Sequence, residues 1–312
     1  MATKVFQHFL CMSLITFAFP LLSHARPSKH KAENPTSFDY SIKNLEGSQK
    51  GQTVKGLHYL KTYLEAFGYL NYSPNQTHAN NDNFDDAFEA AVKSYQLFFH
   101  LNTTGTLDTQ TVSQMMEPRC GVPDIDIVNY TNWMQASQNG ANSTHNTLLP
   151  ISLYSLRGRK WPSTKYELTY AFRPGTNSDT MSAVSDALNT WSDESPFTFT
   201  EILNFFSADL RIGYYRGDHG DGLPFNGRNG AVAHAFYPPA GLFHYNADRS
   251  FSLTPSWGKQ HLETVALHEI GHVLGLGHST VREAIMFPTL PDGKAKGLND
   301  DDIRGIQALY TM

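Results

Sequence analysis

The stretch His268-Glu269-Ile270-Gly271-His272-Val273-Leu274-Gly275-Leu276-Gly277-His278 leaves this chain few ways to fold. A helical turn takes about 3.6 residues, so His268 and His272 stand on one face and can each offer a ring nitrogen to a single ion. Zinc accepts imidazole nitrogen at about 2.0–2.1 Å. Glu269 reaches such an ion from the side, which suits a general base acting on water rather than a ligand. Gly275 tolerates positive φ at no steric cost. The chain can therefore leave the helix there and return His278 as a third ligand. Three protein ligands leave one tetrahedral position open, the arrangement of a catalytic rather than a structural zinc. A lone His-Glu-x-x-His arises by accident, but the added glycine and third histidine at fixed offsets make accident a poor account of this one.

A length of 312 residues suggests about two domains. The net charge of −5, with no large basic block, argues against nucleic acid as a partner. Lys4 precedes an apolar run from Val5 to Leu22, and Ser23-His24-Ala25 offers small residues for cleavage, so residues 1–25 read as a signal peptide. A membrane anchor is the poorer reading, because Gln7, His8 and Pro20 interrupt a run that barely reaches spanning length. The expectation is a secreted, extracellular protein without a membrane anchor, in the apoplast or cell wall if the source is a plant. Of the two cysteines, Cys11 leaves with the signal peptide and Cys120 remains without an internal disulfide partner.

Residues 26–50 are polar and aperiodic. Val54, Leu57, Leu60, Leu64 and Phe67 then follow a helical period, with Gly68 placed to end the helix. Phe84, Phe88, Ala91, Tyr95 and Phe98 form a second stripe, and a third short helix is expected from Asp108 to Met116. Three such helices can bury their stripes against one another. Residues 125–155 are rich in Asn, Ser, Thr and Gln, cannot bury much, and read as an exposed, cleavable linker. Glycosylation sequons fall at Asn71, Asn75, Asn102, Asn129 and Asn142. Beyond the linker, 168–172, 197–202, 209–215 and 230–236 read as strands. A helix capped by Ser178 carries Met181, Val184, Leu188 and Trp191 on one face, and a last helix carries Ile303, Ile306 and Leu309. Strands before helices, with the histidine helix crossing the sheet, imply an α+β layered fold.

The histidine stretch resembles the metzincin signature His-Glu-x-x-His-x-x-Gly-x-x-His. Ser279 after the third histidine resembles the matrixin branch, and Ala284-Ile285-Met286-Phe287-Pro288 is similar to that family's Met-turn, with Met286 beneath the ligands. Pro118-Arg119-Cys120-Gly121-Val122-Pro123-Asp124 matches the matrixin cysteine switch without departure. A thiolate is a soft, strong zinc ligand, so Cys120 in the open position would exclude the attacking water, with Arg119 and Asp124 pairing to shape the loop. The helical bundle resembles the matrixin prodomain and, more distantly, a peptidoglycan-binding bundle. The resemblance implies a twisted mixed five-stranded sheet with three helices after a three-helix prodomain. The expected divisions are signal peptide 1–25, prodomain 26–124, activation linker 125–158 and catalytic domain 159–312. It is closest to the plant type of matrix metalloproteinase, since the chain ends at Tyr310-Thr311-Met312 with neither a haemopexin domain nor a lipid-anchor tail.

A second group, His219, Asp221, His234 and His244, has the ligand types of a closed structural zinc. Its spacing is unspecific alone, and the matrixin resemblance is what implies a second zinc there. Beside it the family binds calcium, and here the sequence departs: Asn226, Asn246 and Arg249 occupy positions usually held by carboxylates, and Phe251 replaces a usual Trp. Calcium wants charged oxygen ligands, so that site is expected to be weakened or empty, with Arg249 pairing with a carboxylate such as Asp248. A calcium site using Asp209 would remain open. The function implied is a secreted, latent zinc endopeptidase, monomeric and freed by an activating protease, that cuts extracellular proteins or peptides. The substrate would add to the 231–233 strand edge, and its side chain after the scissile bond would enter an apolar pocket beside His268 roofed by residues 289–297. The alternative is a non-catalytic extracellular binder whose aromatic-rich bundle grips wall polysaccharide. It is disfavoured because Glu269 and all three histidines are retained.

Overall fold

The computed structural model describes residues 42–72, 81–125, 154–156 and 159–310. The expected signal peptide, Cys11, the sequons at Asn75, Asn129 and Asn142, and most of the expected linker lie outside the described residues. Asn71 and Asn102 are described, and both are exposed.

The three N-terminal helices form where the apolar spacing predicts. Helix α1 (Leu57–Ala66) buries Leu57, Leu60 and Leu64. Helix α2 (Asp86–Phe98) begins where the Asp85 side chain accepts the Phe88 N–H, and Asp86 and Glu89 sit in its first turn, where negative charge is favoured. Helix α3 (Thr109–Met115) is capped likewise by Asp108, which accepts from the Thr111 N–H. Their apolar faces close one core around Leu60, Phe84, Phe88, Tyr95, Val112 and Met115. The aromatic stripe ends differently from expectation: Phe99 is buried and Phe98 only partly so, because α2 stops at Phe98 and the chain turns its next ring inward. Phe84 meets Phe88 edge to face at 4.7 Å, a favoured ring geometry. These rings are interior, which removes the feature that suggested a polysaccharide grip.

Strand β1 (Tyr154–Leu156) lies within the stretch read as linker. Its backbone pairs antiparallel with β9 (Leu276–Ser279), Tyr154 opposite Ser279. The main sheet comprises β2 (Glu167–Phe172), β3 (Thr198–Glu201), β4 (Leu210–Tyr215), β5 (Ala233–Ala235) and β6 (Leu242–Asn246). Its order is β3-β2-β4-β6-β5. Neighbours are parallel except β5, which runs antiparallel to β6 at the edge. Two short parallel strands, β7 (Phe251–Ser252) and β8 (Gln260–His261), follow.

Helix α4 (Ser178–Asp193) is capped by Asn177, which accepts from the Thr180 N–H, one residue earlier than expected. It buries Ala183, Val184, Ala187, Leu188 and Trp191, while Met181 is only partly covered. Helix α5 (Leu262–Val273) packs on α4 and over β5 and β6. It has no wet face: every residue except Glu263 is buried. Trp191 Nε1 donates to the Leu267 carbonyl at 2.9 Å, tying α4 to the middle of α5. Carbonyls at the α5 C-terminus, which lack helical partners, accept from Trp161 Nε1 (to Val273, 2.9 Å) and Tyr310 Oη (to Leu274, 2.7 Å). Helix α6 (Asp300–Tyr310) buries Ile306 and Leu309, with Ile303 partly exposed. The result is the expected α+β fold, a mixed five-stranded sheet with three helices behind a three-helix bundle.

Candidate metal centres

Helix α5 presents His268 and His272 one turn apart. Gly275 at φ 108 then turns the chain, and a side chain there would meet the Arg159 carbonyl at 2.5 Å. His278 returns on β9. The three Nε2 atoms lie 3.2, 3.2 and 3.3 Å apart. Their Nδ1 atoms face acceptors: the Ile285 carbonyl for His268, the Leu276 carbonyl for His272 and Asp124 Oδ1 for His278, each at 2.7 Å. With the proton on Nδ1, each Nε2 carries a bare lone pair. Three lone pairs facing one another in a buried site repel unless a cation lies among them. A tetrahedron with arms of about 2.0–2.1 Å has edges of about 3.3 Å, so the residues present fit zinc. Burial drives the His268 pKa well below its ordinary value, with the neighbouring His278 adding to the effect, which keeps the ring neutral as a ligand must be.

Neither oxygen of Glu269 has a hydrogen-bond partner, and the side chain is fully buried. Burial lifts its carboxyl to about 8, with the adjacent Cys120 thiol opposing, and a divalent ion at the three imidazoles would bring it back down as a carboxylate. An orphaned buried carboxyl costs stability and at an enzyme site marks a group kept for chemistry. Beneath, Met286 packs so closely on α5 that a Cβ at Gly271 would come 2.3 Å from its sulfur. Asp302 fixes the turn carrying Met286 by accepting the N–H groups of Ile285 at 2.7 Å and Met286 at 3.0 Å.

The segment 118–121 lies in the cleft. Cys120 Sγ is 3.5 Å from His272 Nε2, at the fourth corner of the cluster. The backbone is held on both sides. Gly121 N donates to the Ala233 carbonyl at 2.8 Å, and Val232 N donates to the Arg119 carbonyl at 2.8 Å. Opposite, Cys120 N donates to the Pro288 carbonyl at 3.0 Å, and Leu290 N donates to the Pro118 carbonyl at 2.7 Å. Arg119 pairs with Asp124 at 2.5 Å, as expected, and its guanidinium also lies 3.4 Å over the Phe67 ring. Burial pushes the Asp124 carboxyl up, but Arg119 and His278 outweigh it and hold it at about 2.

The second group also converges. Asp221 Oδ2 lies 2.7 Å from His219 Nε2, 2.8 Å from His234 Nε2 and 2.8 Å from His244 Nδ1. His244 Nδ1 is 3.1 Å from His219 Nε2 and 3.2 Å from His234 Nε2. Burial and the adjacent His234 lower His244 to about 4. Four donors with edges this short fit a closed zinc site.

The neighbouring loop corrects one expectation. Asp248 pairs with Arg216 at 3.2 Å, while Arg249 Nη2 donates to the Gly230 carbonyl at 2.6 Å. Asn246 is buried; its Nδ2 donates to the carbonyls of Gly227 and Ala231 at 2.9 and 2.8 Å, and its Oδ1 accepts the Asp248 N–H. Asn226 is exposed. Asp209, considered as a calcium ligand, accepts from Thr169 N and Oγ1 at 2.8 Å and meets Lys165 at 2.9 Å.

Sequence reasoning missed three contributors. Asp302 carries no sequence signal beyond an acidic residue at a helix start, strand β6 has no strand reading although it carries His244, and the contact of Asp124 with His278 joins residues far apart in the chain. Only the position of Asp302 before an apolar helical period hinted at its role.

Three converging imidazoles, a buried orphan glutamate on the same helix and a sheet edge beside them define a zinc metalloendopeptidase. The chain belongs to the matrixin family, whose profile matches residues 160–311, and a peptidoglycan-binding domain profile matches residues 54–115. It is 42% identical to metalloendoproteinase 2-MMP of Arabidopsis thaliana over 86% of this chain and 74% of that one. It is 38% identical to metalloendoproteinase 1 of Glycine max, covering 83% of each chain, and 36% identical to human matrilysin, covering 80% of this chain and 83% of that one.

Proposed function

We propose that the chain is a secreted, latent endopeptidase that hydrolyses extracellular proteins or peptides, with its catalytic zinc held by His268, His272 and His278. The observation that carries this reading is the convergence of three Nε2 atoms beside the unpartnered carboxyl of Glu269. Zinc, when bound, supplies Lewis-acid polarisation of the scissile carbonyl and acidifies water. The Glu269 carboxylate takes a proton from the attacking water and passes it to the departing amine nitrogen as the C–N bond breaks. An extended peptide lies between the β5 edge at 232–233 and the wall at 288–290, using the same backbone groups that now hold residues 118–121.

The latent state follows from that overlap, because 118–121 and substrate compete for one set of hydrogen bonds and Cys120 stands where the open position would be. Cutting between residues 125 and 158 by an activating protease would release the bundle. His219, Asp221, His234 and His244 act as a structural zinc site, and the signal-like residues 1–25 support secretion. The test is hydrolysis of a quenched peptide by the cut protein with and without a zinc chelator. Chelator-sensitive turnover is expected, and no turnover in the zinc-replete cut protein would refute the proposal.

A further inference from the structure

We infer that Asp124, a propeptide residue, positions the third zinc ligand in the latent form, so that the uncut protein holds its catalytic zinc more tightly than cysteine ligation alone provides. The inference rests on the zinc site proposed above. His268 and His272 donate from Nδ1 to the carbonyls of Ile285 and Leu276, groups of the same domain. His278 instead donates to a carboxylate 154 residues away, at 2.7 Å, with both side chains fully buried. The three bonds are equal in length, but a charged acceptor makes a stronger bond than a neutral carbonyl. It also fixes the ring's tautomer and raises the basicity of the metal-facing nitrogen.

The carboxylate is itself locked. Tyr69 Oη donates to Asp124 Oδ2 at 2.6 Å, Arg119 Nη2 donates to Oδ1 at 2.5 Å, and the Asp124 N–H donates to the Phe67 carbonyl at 3.1 Å. Phe67 and Tyr69 belong to the core of the helical bundle. The acceptor therefore stands in place only while the bundle is folded and docked, and proteolytic removal of the bundle takes it away. The propeptide then acts twice on one ion, through the Cys120 thiol at the fourth corner and through Asp124 behind the third ligand.

The test uses the full uncut chain carrying Cys120→Ser, so that the thiolate does not mask the effect. Zinc dissociation constants are measured by competition with a chromophoric chelator for this parent, with Asp124→Ala and with Arg119→Met added separately. Loss of such an outer partner typically weakens metal binding about 10–100-fold, and that rise is expected for Asp124→Ala. Arg119→Met removes one holder of the carboxylate but keeps the Tyr69 and Phe67 contacts, and is expected to weaken binding less than about tenfold, short of the loss in Asp124→Ala. In histidine-labelled protein, a downfield His278 Nδ1–H resonance is expected in the parent and in Arg119→Met, and is lost in Asp124→Ala. An unchanged dissociation constant in Asp124→Ala, or equal losses in both variants, would overturn the inference, the latter meaning that the loop merely detaches. His268→Ala in the same parent separates the two levels: if it leaves tight zinc binding at this site intact, the proposed catalytic zinc fails and not only the part played by Asp124.

Discussion

Cys120→Ser tests how much of the latent state the thiol carries. The substitution replaces a strong zinc ligand by a weak one and leaves the rest of the loop in place. Four backbone hydrogen bonds still tie 118–121 to both walls of the cleft, at about 0.5–1.5 kcal/mol net each, or roughly 2–6 kcal/mol together. The bundle adds contacts of its own: Phe99 meets Phe287 edge to face at 5.6 Å, His100 Nε2 lies 3.0 Å from the Thr280 carbonyl, and Arg282 donates to Gln114 at 3.2 Å. Ordering residues 118–121 costs about 1–2 kcal/mol per residue, enough to offset the whole of the backbone gain, so net closure rests on the docking contacts of the bundle. A net preference of about 1.4–2.8 kcal/mol for the closed state would leave the cleft open roughly 1–10% of the time. The uncut variant should therefore turn over a quenched peptide at about 1–10% of the rate of the cut enzyme, with the chain verified as intact by mass. Uncut wild type should fall well below that. Turnover equal to the cut enzyme would mean that the backbone clasp and the docked bundle together contribute nothing, and turnover equal to uncut wild type would mean the same of the thiol.

Glu269→Ala should keep its zinc by elemental analysis while losing at least about 10²–10⁴-fold in turnover; activity within tenfold of wild type would remove Glu269 from its role. The 226–249 loop, clasped by Asn246 and Arg249, should give a melting temperature that stays flat across a calcium titration, whereas Arg249→Glu should introduce calcium dependence. A calcium ion bound in this loop of the wild-type protein would end that reasoning. Asp209 is held below its ordinary pKa: burial raises it, but Lys165 and the Thr169 N–H and hydroxyl prevail. A depressed carboxyl contributes stability above its unfolded pKa of about 3.9 and loses it as pH falls through the folded value. The melting-temperature gap between wild type and Asp209→Asn should thus hold steady above about pH 5 and narrow as pH falls below the unfolded value of about 3.9, and a gap independent of pH would refute the assignment.

The parts of the site legible in the sequence were those whose spacing is set locally. His268 and His272 share a helix face, Gly275 permits the turn, and the seven residues from Pro118 form one loop. The helical stripes were legible for the same reason, since a period of 3.6 needs no knowledge of the partner surface. What escaped depends on packing. Asp302 looks like any acidic residue opening a helix, and only the docking of α6 under the Met286 turn turns it into a backbone clamp. Strand β6 has nearly every side chain buried, so it lacks the alternation that marks a half-buried strand. Asp124 was read through its neighbour Arg119, because a pair five residues apart is visible in a sequence and a partner on β9 is not. Arg249 was assigned to the adjacent carboxylate by the same bias toward proximity along the chain.

The missing wet face of α5 has a further consequence. Backbone amides exchange with solvent through local opening where a segment is weakly covered, and only through global unfolding where it is covered all round. Helix α5 packs against α4 and against strands β5 and β6, pinned at its middle by Trp191 and at its end by Trp161 and Tyr310. Its amides belong to the slowest-exchanging class of the molecule, and the two imidazoles it carries cannot drift apart without melting the fold. Strand β5 sits at the sheet edge, where one row of backbone groups is shared with whatever lies in the cleft. Motion is thereby allotted to the surface that must exchange one peptide for another and withheld from the atoms that must keep their spacing while it happens.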